Sequence, residues 1–211
     1  MEKINVSKKD DIKLILFDLG GVLVEPSGVQ TIIEWTQKSI EELWELWLKS
    51  KSVRDFESGK TDKVEFASEV VKEFSINVSP DTFLDAFATW ANTLYPGTKE
   101  LLKNLSQNFE IASLSNTNEV HWKILTEDLK IDDCFDHNFP SHKTGLLKPD
   151  EAPFINVSES LGIDYKNILF LDDNLPNIRT AQKLGIEANV TNGLTGVYNI
   201  LSGYNIWDCK N

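Results

Sequence analysis

Cysteine is nearly absent. Cys134 and Cys209 are the only two in 211 residues, too few for a disulfide framework. The start Met1-Glu2-Lys3-Ile4-Asn5 carries no secretory apolar run, and no apolar stretch approaches the ~18 residues of a membrane span. These absences lead us to expect a soluble, cytoplasmic protein with no membrane partner. Basic residues are also scarce: 21 Lys and Arg face 33 Asp and Glu, leaving a net charge of −12. Nucleic-acid affinity comes largely from Lys and Arg neutralising phosphates, so this balance excludes a nucleic-acid partner. A small phosphorylated metabolite needs only a local positive pocket and stays open. His121, His137 and His142 lack a metal-ligand spacing and are read as surface or supporting positions. Internal repeats and low-complexity tracts are missing too.

What is present is organised around Asp18. The run Ile12 to Phe17, broken only by Lys13, ends in Asp18 and opens into Leu19-Gly20-Gly21. Such a run reads as a strand covered on both faces, as parallel sheets produce, and ligands bind beyond the carboxyl ends of such strands. The pattern recurs. Ile111-Ala112-Ser113-Leu114 ends in Ser115-Asn116, Ile168-Leu169-Phe170-Leu171 ends in Asp172-Asp173-Asn174, and Lys148 stands before Pro149 between them. Each point alone has an ordinary structural reading. Asp18, Ser115 and Asn116 could cap helices, Asp173 or Asn174 could cap a helix opening at Pro176, and Lys148 could be a solvated lysine.

Between Gly21 and Tyr95 the rhythm becomes helical. Ile40, Leu43, Trp44, Trp47 and Leu48 form one apolar stripe at helical spacing, read here as packing surface. Phe66, Val70 and Phe74 repeat the signal, as do Phe83, Phe87, Trp90 and Leu94. Ser79-Pro80 suits an N-cap and first helical position. Tyr95-Pro96-Gly97 then marks a return to alternating strand and helix. The expected fold class is α/β, a Rossmann-like parallel sheet core with an inserted all-helical cap domain. The expected domains are 1–21 with 95–211 for the core and 22–94 for the cap.

Taken in order, Asp18, Ser115, Lys148 and Asp172/Asp173 resemble the four motifs of the haloacid dehalogenase (HAD) superfamily of phosphatases. The resemblance implies that Asp18 attacks phosphorus to form an aspartyl-phosphate. Ser115, Asn116 and Lys148 would hold the phosphate, and Asp18, Asp173 and the Gly20 carbonyl would hold Mg²⁺. Asp172 would support the metal's water shell or Lys148. One position departs: the commonest pattern has a general acid two residues after the nucleophile, and this chain has Gly20 there. A subgroup with the same Asp-Leu-Gly start includes bacterial phosphatases acting on glucose 1-phosphate, and the chain is similar to it. The stretch Phe56-Glu57-Ser58-Gly59-Lys60-Thr61 is also similar, and in capped members such a turn faces the substrate. The resemblance therefore implies a Mg²⁺-dependent phosphatase of a small metabolite, such as a sugar phosphate. A metal-independent 2-haloacid dehalogenase and a non-catalytic binding protein of the same fold are the alternatives.

Overall fold

The computed structural model of the protein describes residues 11–207. Cys209 lies outside them. The elements are β1 (Leu14–Phe17), α1 (Val29–Thr36), α2 (Ile40–Lys49), α3 (Lys51–Glu57), α4 (Lys63–Glu73), α5 (Pro80–Phe87), α6 (Thr98–Leu105), β2 (Glu110–Ser115), α7 (Glu119–Lys123), β3 (His137–Pro140), α8 (Ser141–Thr144), α9 (Ala152–Leu161), β4 (Ile168–Asp172), α10 (Leu175–Lys183), β5 (Glu187–Val190) and α11 (Gly193–Gly203). A short 3₁₀ turn, Ala88–Ala91, follows α5.

The sheet has five strands in the order β3-β2-β1-β4-β5, and every pairing is parallel. The central strand β1 is shorter than the apolar run predicts. Lys13 nevertheless extends its pairing, donating to Asn167 O at 2.9 Å and accepting from Glu110 N at 3.1 Å. All residues of β1 and β4 are buried, which is why these strands read as continuous apolar runs instead of alternating ones. Ile15 and Phe17 face a layer containing Leu101, Leu102, Trp122 and Val197. Leu14 and Leu16 face Phe154, Val157, Ile178 and Ala181. Helices thus cover both faces, and the carboxyl edge of the sheet remains the open one.

Helices α1 to α5 fall between β1 and β2. They share a separate apolar cluster whose buried members run from Ile32 to Trp90, with Trp47, Phe56, Phe66 and Phe87 among them. Aromatic pairs bind it: Phe56 stacks on Phe66 at 4.1 Å, and Trp47 lies 5.1 Å from Trp90. Local signals agree with these helices. Ser79 Oγ accepts from Thr82 N at 3.1 Å with Pro80 opening α5. Ser39 and Glu42 close a capping box at the start of α2. Among the described residues no helix is long and apolar enough to cross a membrane.

Cys134 is half-buried, with its thiol near Lys130 O at 3.8 Å. It sits at a short 3₁₀ turn, Asp132–Cys134, which leaves one side open.

Candidate active site

Asp18 leaves the end of β1 with its N–H bonded to Leu171 O of β4 at 2.9 Å. A tight turn follows. Leu23 N and Val24 N both return to Leu19 O, at 2.9 and 2.8 Å. Gly21 lies at φ +69°, and a Cβ there would overlap the Asp173 carboxylate. Glycine is required twice over at this position, for its backbone angle and for the close approach of the acid. Gly20 differs: the space where its Cβ would point holds no atom within 4 Å.

Lys148 connects the strand ends. Its Nζ lies 3.1 Å from Asp18 Oδ1 and 2.6 Å from Asp172 Oδ2, and its side chain is only 2% exposed. Burial works against its charge, but Asp172 and Asp18 outweigh that and hold its pKa above the ordinary lysine value. The backbone around it is fixed by Asn116, whose Nδ2 donates to Lys148 O and whose Oδ1 accepts from Lys148 N, both at 2.9 Å. Asp172 is saturated. Beyond Lys148 it accepts from Asn174 N at 2.7 Å and from Asn177 Nδ2 at 3.0 and 2.9 Å. Asn174 stands at the N-cap position of α10, as its ordinary reading has it, but makes no side-chain cap bond.

Asp18, Asp172 and Asp173 each offer an oxygen, and these atoms lie within 4.8 Å of one another. Asp172 is already engaged, which leaves Asp18 and Asp173 as the pair able to share a cation. On Asp18 both donors, Leu19 N at 2.7 Å and Lys148 Nζ, fall on Oδ1. Burial pushes Asp18 up to about 7 against the pull of Lys148, with Asp172 and Asp173 adding to the rise. Burial and then Asp172 push Asp173 to about 6. Two carboxyls raised together by burial and by neighbouring carboxylates, Asp172 first among them, form a donor set that a hard divalent cation suits.

Ser115 ends β2 at the same edge, buried, with its hydroxyl only weakly engaged to Asn116 O at 3.5 Å. The helix expected to start here starts later. Asn118 caps it, its Oδ1 accepting from Val120 N and His121 N at 3.1 and 3.0 Å, because Asn116 is committed to Lys148.

These residues open into a cleft of about 900 Å³. Asp18, Gly20, Ser115, Asn116, Lys148 and Asp173 line it from the sheet edge. From the helical segment come Trp44, Trp47, Leu48, Arg54, Glu57 and Trp90. A separate hollow of about 300 Å³ between Lys51, Arg54 and Asp150 contains none of the strand-end acids. The apolar stripe of α2 divides here. Leu43 and Trp47 are buried, whereas Trp44 and Leu48 stay 39% and 63% exposed at the cleft. The reading of the stripe as packing surface is thereby corrected for Trp44 and Leu48. Helical periodicity cannot separate the two cases, since both faces of the cleft wall are apolar. Arg54 also reaches the cleft, with its guanidinium 3.5 Å from Asp150 Oδ2.

His121, read as a surface or supporting position, is partly buried and lines the cleft. Its Nε2 lies 2.8 Å from Phe87 O and its Nδ1 3.2 Å from Asn118 Nδ2. A carbonyl accepts only, so Nε2 carries the hydrogen and Nδ1 accepts. Burial lowers its pKa to about 4, with the Phe87 carbonyl opposing. The unfolded chain takes up a proton near the ordinary value of 6.5 and the folded one does not. The contribution is therefore complete above pH 6.5 and is lost as pH falls toward 4. The loss approaches about 3 kcal/mol over that window. Urea unfolding at pH 7.5 and 5.0 checks this: His121→Gln should show a smaller loss than the wild type, and equal losses would refute it. His137 pairs with Glu110 Oε1 at 2.7 Å on the surface, as its spacing predicts.

The sequence model of the haloacid dehalogenase-like hydrolases matches residues 12–185. The chain belongs to that family. This hydrolase is similar in structure to a HAD family enzyme of Bacteroides thetaiotaomicron solved with magnesium and inorganic phosphate. The two are 28% identical with a TM-score of 0.71, over 85% of this chain and 94% of that one. Flavin mononucleotide hydrolase 1 of Arabidopsis thaliana is 25% identical over 86% of this hydrolase and 73% of its own length. Drimenol cyclase of Aspergillus calidoustus is 27% identical over 84% of this chain, which spans only 33% of that protein.

Proposed function

We propose that this hydrolase is a Mg²⁺-dependent phosphatase that releases phosphate from a small phosphorylated metabolite through an aspartyl-phosphate on Asp18. The observation that carries the reading is the division of labour among the acids. Asp172 is fully occupied in holding Lys148, while Asp18 and Asp173 face each other at the cleft and remain able to share an ion. Mg²⁺ held by Asp18, Asp173 and the Gly20 carbonyl would supply the positive charge that lets two anions approach.

The protein's own groups do the rest. Asp18 attacks phosphorus with a carboxylate oxygen, and the bond to the leaving oxygen breaks. Lys148 offsets the negative charge gathering on the phosphoryl oxygens and favours the ionised Asp18. Ser115 Oγ and the Asn116 backbone N–H hold those oxygens. Water then releases phosphate and frees Asp18.

We further read residues 22–94 as a cap over a core of 1–21 and 95–211. Support comes from the seam between them. Ser141 Oγ donates to Glu57 O at 2.6 Å, Lys63 N to Glu119 Oε1 at 2.9 Å, and His121 to Phe87 O. Such closure keeps bulk water from the reacting phosphorus. A sugar phosphate fits the class, since the exposed Trp44 ring offers its C–H face a surface.

A metal-free dehalogenase has no use for Asp173, an acid packed against Gly21 beside the nucleophile. The discriminating measurement is phosphate release from a panel of phosphorylated metabolites with and without Mg²⁺. Chelator should lower turnover at least tenfold and added Mg²⁺ should restore it. Halide release that survives chelation would overturn the proposal.

A further inference from the structure

Gly20 supplies no acid to the leaving group from the core, but one carboxyl enters the cleft from the opposite wall. We propose that Glu57, at the end of α3, is the proton donor to the departing oxygen. The inference rests on the phosphatase reading above and adds to it the group that completes the first half-reaction.

Three observations support it. Glu57 lines the same cleft as Asp18 and Lys148, on the wall that the helical segment contributes. It is held there. Its backbone carbonyl accepts from Ser141 Oγ, which in turn accepts from Thr117 N at 2.8 Å, two residues beyond Ser115. Gly59, at φ +70°, lies so close to the His142 carbonyl that any Cβ would collide with it. The segment is thereby seated against the core next to the carboxyl. Finally, nothing lies within 4 Å of where a Gly20 Cβ would point, so no core side chain fills the place that an acid at position 20 would take.

The environment also favours a proton on Glu57. Burial pushes its pKa up to about 7, against the Trp47 side chain that hydrogen-bonds it and the charges of Arg54 on its own helix and Lys148 from the core. Asp18 and Asp173 share the cleft, and His121 there is neutral. An acid with a pKa near the working pH is suited to giving and regaining a proton. As the phosphorus–oxygen bond breaks, the Glu57 proton passes to the leaving oxygen, giving an alcohol and a Glu57 carboxylate. When water attacks the aspartyl-phosphate, that carboxylate takes a proton from it, and phosphate and the Asp18 carboxylate are released.

The test compares p-nitrophenyl phosphate, whose leaving group needs little protonation, with 2-phenylethyl phosphate, whose leaving group needs it fully. Glu57→Gln should lower kcat on the alkyl ester by roughly 10²-fold or more and at least ten times further than on the aryl ester. Its basic limb in the alkyl pH profile should disappear. Glu57→Asp, which keeps an acid, should recover part of the loss. Gly20→Asp placed in the Glu57→Gln background should raise alkyl turnover again. Equal losses on both esters, or equal impairment by Gln and Asp, would assign Glu57 a structural role and overturn the proposal. If the wild type with Mg²⁺ hydrolyses neither ester, the phosphatase reading itself falls and this inference with it.

Discussion

Asp18→Asn is expected to lower phosphate release by roughly 10⁴-fold or more, because an amide oxygen does not attack phosphorus and nucleophile losses are of this order. The fold should survive. Asparagine keeps an oxygen for the Leu19 N–H, which lies 2.7 Å from Oδ1, and Lys148 retains Asp172 at 2.6 Å. Stability should even rise at neutral pH in metal-free protein. The folded pKa of about 7 lies above the ordinary 3.8, so the fold favours the protonated acid. Ionising it costs stability progressively as pH climbs from about 4 to 7. The neutral isostere removes that cost. Thermal melting at pH 5 and 8 with chelator present, together with phosphate release with Mg²⁺, checks both parts. A variant that keeps turnover within tenfold of the wild type would exclude Asp18 as the nucleophile.

How much of this was legible in the chain follows from what each signal encodes. Strands β1 and β4 were readable because burial on both faces writes an unbroken apolar run. The residues after them were readable because a parallel sheet collects its strand ends at one edge. Pairing brings Phe17 level with Ser113 and with Leu171, so Asp18, Ser115 and Asp172 had to converge. Glu57 carried no strand-end signal; what pointed to it was the similarity of its stretch, Phe56 to Thr61, to the turn that faces the substrate in capped members. It sits at a helix end in a polar stretch, and the docking of Ser141 and His142 against that stretch seats it on the cleft that the acids also line. The sequence did not show which of its two readings His121 takes, surface or supporting, since its partner Phe87 is 34 residues away on another helix. Trp44 and Trp47 share one stripe in sequence and both border the cleft, and only tertiary packing decides that Trp47 is buried in the aromatic cluster while Trp44 stays exposed. Contacts between segments escape a reading that sees one segment at a time.

Lys148 separates the structural and chemical demands on this site most sharply. Lys148→Met preserves the length of the stem but leaves Asp172, fully buried, without its cation. Removing one partner of a buried ion pair costs about 3–5 kcal/mol. The lower part of that range is expected here, because Asn174 N and Asn177 Nδ2 continue to donate to Asp172. Turnover should fall as well, since the phosphoryl oxygens lose their fixed positive charge. Combining Lys148→Met with Asp172→Asn removes the stranded charge. The double variant should melt closer to the wild type than Lys148→Met alone, with a coupling on the order of 1–3 kcal/mol. Its activity should remain as low as that of the single variant. Stability would thus return without chemistry, which is what Asp172 acting only through Lys148 requires. Activity regained together with stability would mean that Lys148 serves the fold and the phosphate is held by other groups.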